Sequence, residues 1–372
     1  MKRLECLDGL RGVLAVYVMI SHMAPFAAMP EWVGRPFSHG QAAVDVFFIL
    51  SGLVIVGSLH GFGHRARPFL IARIARIHPV FLAVLALSFA AHAVPSALPA
   101  MTWLDPEGLA YRMWAGGWPS HWPADLAAHL TMTHGLFPNG AWPHVWISLL
   151  GPAWSLSTEW QFYVLALVIG GWLARSGRSD ALAWVFLVIG VLGLAWTMLV
   201  PWEWGFSRAF IGNKAALFGL GVMSWAVVGG ADRRAPVRYG VMLAAVLALC
   251  WCQGGIGKLA APLVWTLCLL AQCEAWRPLE PLGLALRSRA LQWLGVMSYG
   301  IYLVNEPVHR LLGAALVRLT GPDAALFTLL WLPLAFLLPI LAAAWLHHAV
   351  EVPCQRWGRA LLRRGGGVRI PS

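Results

Sequence analysis

The feature that most constrains this chain is a series of apolar runs long enough to cross a lipid bilayer. A transmembrane helix needs about 20 predominantly apolar residues, and hydrophobic residues make up 59% of the 372 residues here. Charged residues make up only 12%, about half the fraction found in a typical soluble domain. A soluble protein of this length could not bury so much apolar surface in one core. We therefore expect an all-α polytopic membrane protein.

The apolar runs predict about ten transmembrane helices. They lie near 10–29, 42–60, 77–95, 148–174, 181–200, 209–228, 238–254, 259–275, 293–315 and 325–348. Asp8 and Arg11 interrupt the first run, and no clear small-residue cleavage site follows it. Because these features are unlike those of a cleaved signal peptide, we expect the first helix to be retained.

The distribution of basic residues predicts the side of the membrane that each loop faces. With a cytoplasmic N-terminus, 20 of the 27 Lys and Arg residues fall on the cytoplasmic side, as the positive-inside rule requires. These are Lys2, Arg3, Arg11, Arg65, Arg67, Arg73, Arg76, Arg175, Arg178, Arg233, Arg234, Arg238, Arg277, Arg287, Arg289, Arg356, Arg359, Arg363, Arg364 and Arg369. Both termini are therefore predicted to be cytoplasmic, with a transmembrane domain over 1–355 and a basic tail over 356–372.

The net charge of +11 does not indicate a nucleic-acid partner. The basic residues follow the membrane topology, and no basic stretch is interleaved with aromatic residues as a single-strand binder requires. The cysteines show no paired spacing typical of zinc, so no metal site is predicted. The longest outside segment, roughly 96–147, is predicted to be a lid or an acceptor-side cover, with a short amphipathic helix over 124–136.

Two ionisable residues share one face of the first helix. Arg11 and His22 are eleven residues apart, about three turns or ~16 Å along a helix. Asp8 lies one turn before Arg11 and can hold its guanidinium group. Arg11 alone could be a snorkelling anchor and His22 a packing residue. Their shared face favours a cavity, because charges inside membrane helices usually face one.

Further polar residues are predicted to reach the same region. Arg73 and Arg76 form an i, i+3 pair that could clamp phosphate oxygens, although anchoring at the inner surface would also explain their charge. Glu159 lies at a depth similar to that of His22, so the two side chains are predicted to meet. Asn305 also lies near that depth. Ser51, followed by Gly52, is assigned to helix packing.

Five blocks of sequence together resemble the acyltransferase 3 family of bacterial membrane acyltransferases. They are Leu7–Gly12 with His22, Val44–Phe48 with Ser51-Gly52, Arg73–Pro79, Trp154–Leu156 with Glu159 and Phe162-Tyr163, and Ser298-Tyr299 with Tyr302-Leu303. Each block alone is weak, but the five occur in the expected order over nearly the whole chain. Where many members have a histidine, this chain has Asn305, which can hydrogen-bond but cannot take a proton.

The resemblance implies transfer of an acyl group, commonly acetyl from cytoplasmic acetyl-CoA, within the bacterial inner membrane. The acceptor would be a hydroxyl of a carbohydrate, a lipid-linked sugar or a small molecule. No hydrolase-like domain of the kind fused to some members is present, so the membrane unit or a separate acyl-accepting partner protein would complete the transfer. Membrane lipids would surround the protein.

The predicted site combines these inferences. Catalytic roles are predicted for His22, Arg11 and Glu159, with Asp8 in support. The phosphates of the donor are predicted to bind at Arg73, Arg76, Arg65 and Arg67. The residues predicted to orient substrate are Asp45, Ser155, Tyr302 and Asn305. His22 could act as a general base or as a transient acyl carrier. The rival functions are a proton-coupled transporter or exporter and a non-enzymatic membrane subunit.

Overall fold

A computed structural model describes residues 4–114, 117–176, 181–230 and 232–364 of the chain. The main helices are α1 (Glu5–Met23), α2 (Gly40–Gly61), α3 (Ala66–His92), α4 (Trp154–Arg175), α5 (Ala181–Leu199), α6 (Ala215–Gly229), α7 (Ala235–Gly254), α8 (Ala260–Gln272), α9 (Arg289–Thr320), α10 (Ala324–Leu346) and α11 (Val352–Arg364). Short helices span Glu31–Gly34, Leu109–Trp114, Trp122–Leu130 and Glu280–Leu286. Four basic residues used to orient the chain, Lys2, Arg3, Arg178 and Arg369, lie outside the described residues.

The helices α1 to α10 coincide with the predicted apolar runs, which confirms an all-helical protein with several membrane spans. Within the described ranges, six helical segments are long and apolar enough to cross a membrane. They are Glu5–Phe26, Glu31–Gly61, Ala66–His92, Ala181–Leu199, Ala235–Lys258 and Ala324–Arg363. The helices α6 and α8 are apolar but shorter, whereas α4 and α9 are long and carry several polar residues.

Helix α3 begins about eleven residues before the apolar run that predicts it. Three arginines lower the hydropathy of this first stretch, although its residues are good helix formers. Arg73 and Arg76 consequently lie inside the helix and not at its entrance. Arg65 precedes the helix, in an extended conformation.

Close backbone approach at glycines sets the packing of the bundle. A Cβ atom on Gly221 of α6 would overlap the carbonyl oxygen of Ile49 on α2, and one on Gly52 would overlap that of Phe218. Gly12 of α1 and Gly295 of α9 cross in the same way. Small residues allow such contacts in membranes, where association depends on van der Waals packing rather than on the hydrophobic effect. The assignment of Gly52 to packing therefore agrees with the structure.

The outer loop packs against the bundle. Phe26, just after α1, stacks on Trp114 with ring centroids 3.7 Å apart, and Trp331 of α10 donates its indole N–H to the carbonyl oxygen of Met23 at 2.9 Å. The loop helix runs over Trp122–Leu130, shorter than the predicted 124–136, because the chain turns at Met132, whose φ is 57°. The loop thus covers the outer end of α1 and α9.

Both described ends of the chain lie on one side of the bundle. Leu4 and Arg363 line the same cavity. A π-helical turn, His347–Glu351, joins α10 to α11. The first residues of the predicted basic tail are therefore helical, and the rest of the tail from 365 lies outside the described residues.

We predict that Gly221→Ala destabilises the protein by about 2 kcal/mol, because the added methyl group overpacks the crossing of α2 and α6. Gly229→Ala, on the same helix with open space around its Cβ position, is the matched control. Thermal unfolding in detergent measures both variants. Equal midpoints for Gly221→Ala and the wild type would contradict this packing.

Candidate active site

A cavity of about 100 Å³ lies among five helices, α1, α2, α3, α4 and α9. Its polar lining consists of Arg11, Ser51, Arg73, Arg76, Ser155, Glu159, Tyr163, Ser298, Tyr299 and Tyr302. The structure therefore brings together six of the residues selected from the sequence, namely Arg11, Arg73, Arg76, Ser155, Glu159 and Tyr302. Residues separated by almost 300 positions meet at one polar centre inside an apolar bundle.

The carboxylate of Glu159 is held by hydroxyl groups from two helices. Ser51 Oγ on α2 donates to one oxygen at 2.8 Å, and Tyr163 Oη on α4 donates to the other at 2.6 Å. Buried carboxylates need such donors. The assignment of Ser51 to packing is therefore incomplete, since only the packing of α2 on α4 reveals its partner. The i, i+4 spacing of Glu159 and Tyr163 was the available sequence signal for the second contact.

The cavity carries more positive than negative charge. Three guanidinium groups, of Arg11, Arg73 and Arg76, face the single carboxylate of Glu159 in its lining. Among the described residues, the Nε atoms of Arg11 and Arg73 are buried and have no hydrogen-bond partner. Such an atom costs roughly 1–3 kcal/mol when left unsatisfied. The arrangement suits an anionic ligand that accepts hydrogen bonds.

The outer end of the cavity is closed by a contact between α4 and α9. Tyr302 Oη donates to Ser155 Oγ at 2.9 Å, and Ser155 Oγ donates to the carbonyl oxygen of Pro152 at 3.2 Å. Because α4 and α9 run in opposite directions, Glu159 lies one turn to the inner side of this contact, and Asn305 lies about one turn to its outer side.

His22 and Asn305 form a second polar unit beyond that contact. His22 Nδ1 lies 2.7 Å from Asn305 Oδ1. The amide nitrogen of Asn305 donates to the carbonyl oxygens of Ile301 at 3.1 Å and Tyr302 at 2.6 Å. Since this orientation turns the amide oxygen towards His22, Nδ1–H is the donor, and the lone pair of a neutral imidazole lies on Nε2. The ring is thereby oriented as a base or a nucleophile.

The predicted contact between His22 and Glu159 does not form, because each side chain has other partners. Both carboxylate oxygens of Glu159 accept hydrogen bonds from Ser51 and Tyr163, whereas His22 pairs with Asn305. The physical reason is the crossing of α1 and α9, which brings the outer part of α1 against α9 and not against α4. Asp8, one turn before Arg11, lies at the same crossing, where its backbone faces Gly295.

Asp45 does not line the cavity, in contrast to its predicted substrate-orienting role. Its Oδ1 atom lies 2.6 Å from Lys214 Nζ in a buried ion pair and accepts a hydrogen bond from Gln41 Nε2 at 3.0 Å. Lys258 Nζ lies 3.7 Å from the other oxygen. Lys214 also lies 5.9 Å from the ring centroid of Phe48. The negative charge of Asp45 thus compensates the positive charge of the buried Lys214, beside the cavity wall.

A larger cavity of about 750 Å³, the inner vestibule, opens beyond Arg73 and Arg76. Arg73 Nη2 donates to Ser58 Oγ at 3.1 Å at this boundary. Arg65 and Arg67 are exposed and line neither cavity, so their predicted phosphate contacts are not formed by this geometry. Trp225 of α6, with Arg359 and Arg363 of α11, lines the vestibule instead. No motif in the sequence marks Trp225, and both arginines belong to the predicted basic tail.

Comparison with known proteins agrees with the family resemblance found in the sequence. A family model described as an acyltransferase domain matches residues 4–348, a range that includes all five sequence blocks. Protein 2 in the picA locus of Rhizobium radiobacter is 32% identical over 189 residues, which cover 47% of this chain and 85% of that protein. No solved structure matches the chain significantly.

A pair of buried histidines fastens the outer loop to the site. The rings of His129 and His134, which lie outside the membrane-spanning segments, stack with centroids 4.2 Å apart. His134 Nε2 lies 3.1 Å from the carbonyl oxygen of Ala153, directly before α4. Burial lowers the pKa of His129 to about 4. Burial, together with the neighbouring His129, lowers the pKa of His134 to about 3.

We predict that acid loosens this attachment. Because both pKa values lie below the ordinary 6.5, the opened loop binds more protons than the closed loop between these values. The stability of the closed loop is therefore full above that window and falls as the pH falls through it. For His129 alone the loss is roughly 3 kcal/mol at the acid end.

Hydrogen exchange of residues 122–136 between about pH 7 and 4, corrected for its intrinsic pH dependence, measures this opening. In the double variant His129→Gln/His134→Gln the pH dependence should largely disappear, and His121→Gln, at an exposed histidine of the same loop, should retain it. An unchanged profile in the double variant would refute the role of the pair.

Proposed function

Because the chain belongs to this acyltransferase family, and is thus a membrane acyltransferase, we propose that it transfers an acyl group, most simply acetyl, from acyl-CoA in the cytoplasm to an acceptor outside. The acceptor is a hydroxyl of a carbohydrate or another envelope-linked molecule. One observation carries the proposal: Arg73 and Arg76 line both the vestibule and the arginine-lined cavity, and the His22–Asn305 unit lies beyond the Tyr302–Ser155 contact at the other end of that cavity.

The membrane topology follows from the same arrangement. We take α1 to α10 as ten spans, with both termini in the cytoplasm of the bacterial inner membrane. The location of Leu4 and Arg363 on one cavity supports an even number of spans, and the positive-inside distribution supports the cytoplasmic side. The outer loop then faces the periplasm.

The donor enters through the vestibule. Its diphosphate binds at Arg73 and Arg76 through bidentate hydrogen bonds, one of which satisfies the buried Nε of Arg73. The pantetheine arm passes Arg11 within the inner cavity. That cavity, about 100 Å³ in volume, must widen for the arm to pass.

His22 supplies the proton-transfer group at the outer end. As a general base, Nε2 takes the proton of the acceptor hydroxyl while the oxygen attacks the thioester carbonyl, and the proton then leaves with the CoA thiolate. As an acyl carrier, Nε2 first attacks the carbonyl and the CoA thiolate leaves; the acceptor hydroxyl then attacks the acylated ring, the imidazole leaves, and the hydroxyl proton passes to the thiolate. Asn305 holds Nδ1–H in both cases, so the ring keeps the required orientation.

Glu159 has a different role from the one predicted for it. Its carboxylate is bonded by Ser51 and Tyr163 on the inner side of the Tyr302–Ser155 contact. From there it balances part of the charge of Arg11, Arg73 and Arg76 before the donor arrives. We therefore assign Glu159 to positioning the arginines of the donor path, and Asn305 to positioning His22. The Tyr302–Ser155 contact must open for the acyl group to reach His22.

We predict that His22→Ala lowers the rate of acyl transfer by at least about a hundredfold while leaving CoA binding within about threefold of the wild type. The donor phosphates bind at Arg73 and Arg76, on the inner side of the Tyr302–Ser155 contact, whereas His22 lies beyond that contact, so affinity is retained. Purified protein in lipid nanodiscs, supplied with acetyl-CoA and envelope glycans, allows transfer to be followed by mass spectrometry.

His121→Ala, in the outer loop, is the control and should keep full activity. Transfer at the wild-type rate in a correctly inserted His22→Ala protein would contradict a role of His22 as base or acyl carrier. Uptake or export of a substrate without consumption of acyl-CoA by the wild type would instead favour a transporter. Comparing envelope glycans of wild-type and deletion strains for a lost acetyl mass identifies the acceptor.

A further inference from the structure

Helix α11 forms a wall of the vestibule although it lies beyond the family match, which ends at residue 348. Gln355, Arg359 and Arg363 recur at four-residue intervals and line the vestibule from one face of the helix. Gly358 brings α11 close to α3, since a Cβ on Gly358 would lie only 2.6 Å from Ala75 Cβ. Ala75 lies between Arg73 and Arg76 in sequence, so two pairs of arginines from different helices border one space.

The chemistry of the vestibule indicates a phosphorylated nucleotide. Four arginines and no carboxylate occur among its described lining residues, so the space is strongly positive. Trp225 offers an aromatic surface on the same wall and is itself stacked on His60, with ring centroids 5.9 Å apart and an interplanar angle of 24°. The volume of about 750 Å³ falls in the range of pockets that hold ligands of this size.

Helix α11 is held by its connection to α10, and its face opposite the vestibule is exposed. Within the π-helical turn, Glu351 is buried and lies 2.8 Å from His347 Nδ1. Gln355 Nε2 donates to its other oxygen at 2.9 Å, which ties the first turn of α11 to the end of α10. On the opposite face Trp357 is 64% exposed, as suits a helix lying in the membrane interface. The arginines are therefore held over the vestibule.

We propose that α11 is the nucleotide-binding wall of the donor site, with Arg359 and Arg363 binding the 3′-phosphate of CoA and Trp225 stacking on the adenine. The inference rests on the proposed function, because it takes acyl-CoA as the donor. The diphosphate is attached to the pantetheine arm and so binds at Arg73 and Arg76, beside the inner cavity. The 3′-phosphate is a separate group on the ribose, on the other side of the sugar ring from the diphosphate, and α11 supplies a second pair of arginines in the same cavity.

A binding experiment with two ligands tests this assignment. Kd for CoA and for 3′-dephospho-CoA is measured by calorimetry on the full chain in nanodiscs, for the wild type and for Arg359→Gln/Arg363→Gln. We expect the double variant to weaken CoA binding at least about tenfold, the loss typical of a charge-assisted contact. Binding of 3′-dephospho-CoA should change less than about threefold. Arg356→Gln, on the same helix but exposed and outside the vestibule lining, is the matched control and should match the wild type for both ligands.

The outcomes separate this inference from the proposed function. A wild type that binds neither ligand would overturn both. A double variant that keeps the wild-type affinity and preference for CoA would overturn the role of α11 alone, and equal weakening for both ligands would overturn the assignment of the 3′-phosphate. If the double variant does not fold, Arg359→Lys/Arg363→Lys replaces it. That variant keeps the charge but loses the bidentate geometry, so it should still bind CoA more weakly and prefer it less.

Discussion

The placement of the half-buried Glu159 carboxylate among apolar helices is the constraint on which the rest of the site depends. Inside a bilayer a charged group must find hydrogen-bond donors within the protein. Tyr163 on the same helix and Ser51 on α2 supply those donors, and the bond from Ser51 fixes α2 against α4. Arg11, Arg73 and Arg76 can then line the same cavity without repelling one another fully. The excess of positive charge that remains gives the cavity its preference for an anion.

This arrangement divides the route through the protein into chambers with different chemistry. The vestibule is wide and rich in arginine, the inner cavity is narrow, and the His22–Asn305 unit lies past the Tyr302–Ser155 contact. Each chamber suits one part of the proposed donor: nucleotide, pantetheine arm and acyl group. The outer loop, fastened by His134 to the residue before α4, covers the opposite end. A hydroxyl acceptor and a cytoplasmic donor can thus meet without an open pore.

Much of the fold could be predicted from the sequence because long apolar runs identify membrane helices. The ten apolar runs match α1 to α10, and the shared face of Arg11 and His22 lies along the route described here. Contacts between helices were harder to predict, because they depend on helix rotation and crossing. Similar depth in the membrane predicted that His22 contacts Glu159. The crossing of α1 and α9 at Gly12 and Gly295 instead places His22 against Asn305. Ser51 and Asp45 were misjudged for the same reason: each has a partner from a distant part of the chain, Glu159 for Ser51 and Lys214 for Asp45.

The most direct test of the account is a cryo-EM structure of the protein in nanodiscs with a non-hydrolysable acyl-CoA analogue. The account predicts the diphosphate at Arg73 and Arg76, the nucleotide in the vestibule and the acyl carbonyl directed along α1 towards His22. Density for the nucleotide on the side of the outer loop, or an acyl group directed away from His22, would contradict it.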